Sequence, residues 1–143
     1  SRIRKYMDNK NADIHIMATL DDICWTFNIR GCDVECNPVI MAYSVITKDE
    51  AYIYTDKDRF DDKTLAKFGE ACVEVLPYDS IYEDIARMNG KVLIDKRRVN
   101  MRIYQLIQSG KDVEAVLSDN PAMLFKAIKN EIYTAYMLTM AWL

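Results

Sequence analysis

The run from Val39 to Thr47 (VIMAYSVIT) constrains this chain more than any other stretch. It carries no charge and is rich in β-branched and aromatic residues, so it reads as a strand covered on both faces. Lys48-Asp49-Glu50 then makes a tight turn into a second such run, Ala51 to Thr55 (AYIYT). Two strands joined this way form an antiparallel hairpin. A hairpin alone cannot bury its apolar faces, so the rest of the chain must supply more strands and covering layers.

The rest of the chain supplies both. Residues 2–10 read as a short polar helix and 13–17 (DIHIM) as a strand. Thr19 opens a T-x-x-D variant of the capping box, with Leu20, Ile23, Cys24 and Phe27 at the spacing of a buried helical stripe. Gly31 stands where that helix should stop. Beyond the hairpin, a charged helix is expected at about 59–69 and a strand at 72–76, ended by Pro77. Asp79 is expected to cap a helix running to about Met88, with Gly90 ending it. A strand at 91–95, a helix at 99–107 stopped by Gly110, and a strand at 113–117 follow. Asn120-Pro121 is a helix start, an N-cap residue followed by proline at the first helical position. Helix–strand alternation after an antiparallel hairpin predicts an α/β fold, a mixed sheet with helices on its faces.

Composition narrows the function. The chain has 143 residues, 29% of them charged, and a formal net charge of −3. That is the size of one domain, with no basic surplus for nucleic acid, so no nucleic-acid partner is expected. No apolar run approaches the roughly 20 residues of a membrane-spanning helix. The first ten residues are charged and do not resemble a signal peptide. Ser1 stands where an initiator Met would, which points to a chain cut from something longer or one that has lost a tag. Cys24, Cys32, Cys36 and Cys72 are irregularly spaced and read as reduced thiols of a cytoplasmic protein.

Catalytic constellations are missing. His15 is the one histidine, and alternation in its strand sets it opposite Ile14 and Ile16, as a structural or half-exposed residue. Cys32 and Cys36 make one C-x3-C pair without a second, while Cys24 and Cys72 read as small core residues, so no metal site is expected. The pairs Asp21-Asp22, Asp61-Asp62 and Glu83-Asp84 read as helix-start charges and solvated faces. With 4 glycines, the chain has neither a phosphate-cradling loop nor a nucleophile elbow.

Residues 20–38 (LDDICWTFNIRGCDVECNP) stand out from this scaffold. On a helical wheel Trp25 lies off the apolar stripe, beside Asp21 and Asn28. It either packs under its own loop or meets a partner, since contact surfaces are enriched in Trp and Arg. Arg30 either pairs with Asp33 or Asp21, or faces a ligand carboxylate that matches its planar fork.

This segment and its continuation resemble the LDDIAWLLNLRGxDIxxNPVxxSYxxIT stretch of three-domain aminopeptidase P enzymes. The matching positions include Leu20, Asp21, Asp22, Ile23, Trp25, Asn28, Arg30, Gly31, Asp33, Asn37, Pro38, Val39 and Ser44. Asn120-Pro121 and Lys126 to Glu131 resemble the stretch that enters the catalytic domain of those enzymes. The resemblance covers about residues 2–131. It implies the middle, creatinase N-terminal-like domain, with a ribonuclease H-like mixed sheet of about five to six strands and helices on both faces. It implies a parent that removes the N-terminal residue from peptides with proline second. The parent's following pita-bread domain would hold two divalent metals, commonly manganese, and this chain would hold no cofactor of its own. The task implied here is to wall the substrate cleft and support assembly, as a homodimer among other states. Within it, Trp25, Arg30, Asp33, Asn37 and Pro38 are the candidate cleft or interface residues, and none is catalytic.

The domain is expected to span 1–131. Residues 132–143 (IYTAYMLTMAWL) depart from the family's charged helix and form an atypical apolar tail. That departure keeps a second reading open, a stand-alone protein-binding or dimerisation module without peptidase activity, docked through the tail.

Overall fold

The computed structural model describes residues 1–128. A six-stranded mixed sheet forms its centre: β1 (Ile14–Met17), β2 (Tyr43–Ile46), β3 (Ala51–Tyr54), β4 (Val73–Leu76), β5 (Gly90–Ile94) and β6 (Val113–Leu117). Their order is β4-β3-β2-β1-β5-β6. The expected hairpin is present, with Tyr43 opposite Tyr54 and Ile46 opposite Ala51 in antiparallel register. β1 also runs antiparallel to β2, whereas β4 joins β3, β5 joins β1, and β6 joins β5, each in parallel.

Helices cover both faces. α1 (Arg2–Asn9), α2 (Leu20–Phe27), α3 (Asp62–Glu70) and α6 (Pro121–Ala127) share one core with alternate strand residues. α1 is not polar all round: Ile3 and Met7, four apart, are buried beside Ile23, Phe68, Ile53 and Leu93. α4 (Ile81–Arg87) and α5 (Met101–Ser109) cover the other face. There Ile81, Ile85, Ile103 and Ile107 meet Ile16, Val45, Val92 and Ile94. Period 2 in the strands and period 3.6 in the helices divide the apolar residues between the two layers. Each fully buried isoleucine contributes about 1.5–3 kcal/mol through burial.

Several boundaries differ from the sequence reading. Thr19 makes no capping hydrogen bond, and α2 ends at Asn28 in the left-handed region (φ 53, ψ 45), not at Gly31. Asn tolerates that conformation because its short side chain bonds locally. Asp79 lies inside a 3-10 turn (Tyr78–Ser80) ahead of α4 instead of capping it. Gly90 does not end a helix but opens β5 at φ 93, where a Cβ would meet Asp13 Oδ2 at 2.9 Å. Cys72 is exposed with φ 55, so it is not a core residue. The caps at Asn100 and Asn120 form as side-chain acceptors of backbone N–H groups, the latter as expected.

The apolar run from Val39 contributes fewer ladder residues than expected, because residues 39–41 are bonded to the preceding loop and to α2. Asp33 N–H donates to the Val39 carbonyl (3.2 Å), Ile40 N–H to the Cys24 sulfur (3.4 Å) and Met41 N–H to Asp33 Oδ2 (2.6 Å). Val39, Ile40 and Ala42 remain buried. No described helix is long and apolar enough to cross a membrane. The apolar tail at 132–143, the domain boundary at 131 and the end of the stretch matched at Lys126–Glu131 lie outside the described residues.

Candidate functional site

The site is built on the two sides of α2. Asp21, Trp25 and Asn28 are exposed together on its outer side, while Asp22, Ile23 and Cys24 are buried on the inner one. After the left-handed turn at Asn28, Ile29 returns to the core and Arg30 faces out again. Gly31 is required for close approach: a Cβ there would sit 2.2 Å from Ile40 Cγ2 and 3.2 Å from the Val39 carbonyl. The loop beyond it closes on a short bridge between Val34 and Asn37, with Cys36 at φ 59.

Four of the five candidates meet. Trp25, Arg30, Asn37 and Pro38 line one open cavity of about 360 Å³, together with Asp21, Asn28 and Val39. Trp25 is 45% exposed, so it does not pack under its own loop. It forms a ridge between this cavity and a second one of about 510 Å³, lined by Phe27, Phe68 and Phe125. Asp33 is absent from the lining of the first cavity. Its carboxylate braces the loop from behind, accepting from Met41 N–H and pairing with Arg59. The Met41 amide and then the Arg59 guanidinium hold its pKa below the usual carboxylate value.

The acids expected to neutralise Arg30 are engaged elsewhere. Asp21 pairs with Lys126 Nζ at 2.5 Å. Burial opposes ionisation of Asp21, but the Lys126 bond outweighs it and the pKa is lowered. Arg30 makes no ion pair among the described residues. Burial raises the Cys24 thiol pKa, which keeps that sulfur protonated and unreactive.

Asp22 is not a solvated helix-start charge. It is fully buried, with Oδ1 2.5 Å from Lys126 Nζ and Oδ2 accepting from Asn120 Nδ2 (2.7 Å). Burial disfavours the Lys126 charge, but Asp21 and Asp22 more than offset this and its pKa is raised. Asn120 also caps α6 and lies 3.2 Å from His15 Nε2, while His15 Nδ1 lies 3.0 Å from the Leu93 carbonyl. His15 is therefore structural, as one branch of the sequence reading had it, but fully buried instead of half-exposed. Desolvation pushes its pKa down and keeps it neutral at pH 7. Sequence reasoning missed this network. Its one local signal was Asp22 flanking the apolar stripe, and its partners Asn120 and Lys126 are about a hundred residues away.

Among the described residues no three His, Cys, Asp or Glu side chains converge as a metal site. The surface around Trp25 and Arg30 presents an aromatic face, two amides and a guanidinium that is unpaired among the described residues.

Comparison with known proteins agrees with this architecture. The Creatinase/Prolidase N-terminal domain family matches residues 1–132. Xaa-Pro aminopeptidase 1 of Dictyostelium discoideum is 31% identical over 132 residues, covering 90% of this chain and 20% of the relative. The X-prolyl aminopeptidase of Caenorhabditis elegans, a cytosolic enzyme with a di-nuclear active site, superimposes with TM-score 0.77 at 26% identity. That match covers 90% of this chain and 22% of the other. The N-terminal domain of the cytoplasmic peptidase PepQ from Mycobacterium tuberculosis H37Rv shares the fold, with TM-score 0.59 at 13% identity over 86% of this chain and 94% of that one. The chain thus spans about a fifth of the length of its Xaa-Pro aminopeptidase relatives. A mixed six-stranded sheet layered by helices, a shared domain profile and 31% identity lead to one assignment: this chain belongs to the creatinase/prolidase N-terminal domain family.

Proposed function

We propose that this chain is the non-catalytic substrate-cleft and assembly domain of a metal-dependent Xaa-Pro aminopeptidase. The observation that carries the reading is the 31% identity to an Xaa-Pro aminopeptidase over nearly the whole domain. The cavity that gathers Trp25, Arg30, Asn37 and Pro38 supports it. In this reading Trp25 walls the cleft, Arg30 makes a polar contact, and Asp33 with Asn37-Pro38 shapes the loop. The two divalent metals, with manganese as the proposed ion, would belong to a following catalytic domain, a reading supported by the di-nuclear active site of the Caenorhabditis elegans relative. The cytosolic neighbour supports a cytoplasmic location.

In a full-length enzyme carrying this domain, Arg30→Ala and Trp25→Ala should lower kcat/KM for long X-Pro peptides while metal content stays constant. Unchanged kinetics in both variants would remove the cleft role.

A second reading, a protein-binding or dimerisation module, is favoured by Leu117, Leu124 and Ile128, apolar side chains exposed near and along α6. Light scattering on the 143-residue chain and on one ending at Glu131 tests it. A docking tail predicts loss of self-association on truncation, and equal masses would refute it.

A further inference from the structure

We infer that the cavity beside α2 is a carboxylate-binding subsite, in which Arg30 takes the carboxylate of a peptide whose neighbouring ring rests on Trp25. The inference rests on the cleft reading above and adds a ligand chemistry to it.

Three observations carry it. First, Arg30 is exposed at the cavity and unpaired among the described residues. Its two natural partners are committed elsewhere, Asp33 to Arg59 and the Met41 amide, and Asp21 to Lys126. The Asp21 carboxylate also lines the cavity, and the Lys126 ammonium 2.5 Å away, which it shares with Asp22, offsets part of its repulsion of an incoming anion. Second, the other walls are apolar or neutral: Trp25, Ile29, Pro38 and Val39, with the amides of Asn28 and Asn37 as further hydrogen-bonding groups. A guanidinium in such a wall binds a planar carboxylate through two parallel N–H bonds, and more strongly than one surrounded by competing charges. Third, Trp25 stands 45% exposed on the rim, with its ring open to contact. A prolyl or aromatic ring stacked there would cover it. At about 360 Å³ the cavity lies at the low end of small-ligand sites, which suits one or two peptide residues.

The carboxylate could come from a peptide C-terminus or from an acidic side chain, and three peptides separate these sources. Acetyl-Phe-Pro with a free C-terminus, acetyl-Phe-Pro-amide, and acetyl-Phe-Pro-Asp-amide would each be titrated into the isotope-labelled 143-residue chain. The readouts are the NMR signals of Arg30 Nε–H and Trp25 Nε1–H. The free acid should shift both signals and bind about 10-fold or more tightly than the neutral amide, as expected for hydrogen bonds to a charged group. Binding of the Asp peptide equal to that of the free acid assigns a general carboxylate site. Weaker binding of the Asp peptide assigns a C-terminal one. Arg30→Gln should bring acid and amide to equal affinity, while Trp25→Leu should weaken all three peptides alike. Equal affinity of acid and amide for the unaltered chain, or no shift at Arg30 and Trp25, would overturn the inference. Because no peptidase step is involved, that failure would leave the cleft role standing, whereas unchanged kinetics in the full-length variants would remove the cleft role itself.

Discussion

The inner and outer sides of α2 begin from adjacent aspartates and come to opposite ends. Asp22 points inward onto Lys126 and Asn120 at 2.5 and 2.7 Å, with the Arg98 guanidinium 3.7 Å away. Around Trp25 and Arg30, on the outer side, a cation and a large ring are left exposed. A buried polar network holds a fold together, because its members cannot be unpaired cheaply. An unsaturated surface group costs little to leave alone and is available to a ligand. In the reading proposed above, this difference divides scaffold from candidate site across one short helix and the loop that follows it.

Breaking the inner side should have the largest effect. Asp22→Ala leaves the buried Asn120 amide without its acceptor and Lys126 with Asp21 alone, and should cost about 3 kcal/mol, the upper end for a buried donor that loses its partner. Urea unfolding of the variant checks this. A loss under 1 kcal/mol would mean that the network is solvated in solution and the contrast between the two sides is false.

Next is the hinge between the sides. Gly31→Ala places a methyl 2.2 Å from Ile40 Cγ2, and over-packing of this kind costs about 1–3 kcal/mol. The thermal midpoint should fall accordingly. An unchanged midpoint would show that the Ile40 side chain moves aside freely and that Gly31 is not needed there.

The loop brace comes third, and it carries a pH signature. Asp33→Ala should cost about 1 kcal/mol, the worth of one hydrogen bond at a half-buried position. The native pKa of Asp33 lies below its ordinary value. Its stabilising contribution is therefore present above the unfolded value of about 3.9 and is lost as the pH falls through the native one. Stability curves of the wild type and of Asp33→Ala should converge in acid and separate above about pH 4. Parallel curves would exclude the Asp33 contacts as their source.

How much of this could be read in the sequence depends on the range of each interaction. The hairpin, β6 and the Asn120 cap were legible because periodicity and turn chemistry act over a few residues. Trp25 was legible as an off-stripe residue for the same reason. The burial of Asp22 was not, because its partners Asn120 and Lys126 come from the far end of the domain. Nor was the shortening of β2, which depends on Asp33 and Cys24 taking the amides of Met41 and Ile40. Arg30 fell between these cases. Its two possible salt bridges were visible in sequence, but only the fold shows that Arg59 and Lys126 already occupy both acids.

The smallest expected effect on stability belongs to Arg30 itself. Arg30→Gln removes no ion pair among the described residues, so the unfolding free energy should change by no more than about 0.5 kcal/mol, as for surface positions without such contacts. A loss of 1–2 kcal/mol would mean that Arg30 has a structural partner, and the outer side of α2 would then be as closed as the inner one. Stability and carboxylate binding must therefore part company at this residue, with denaturation curves superimposed and peptide affinity reduced, for the division between scaffold and site to hold.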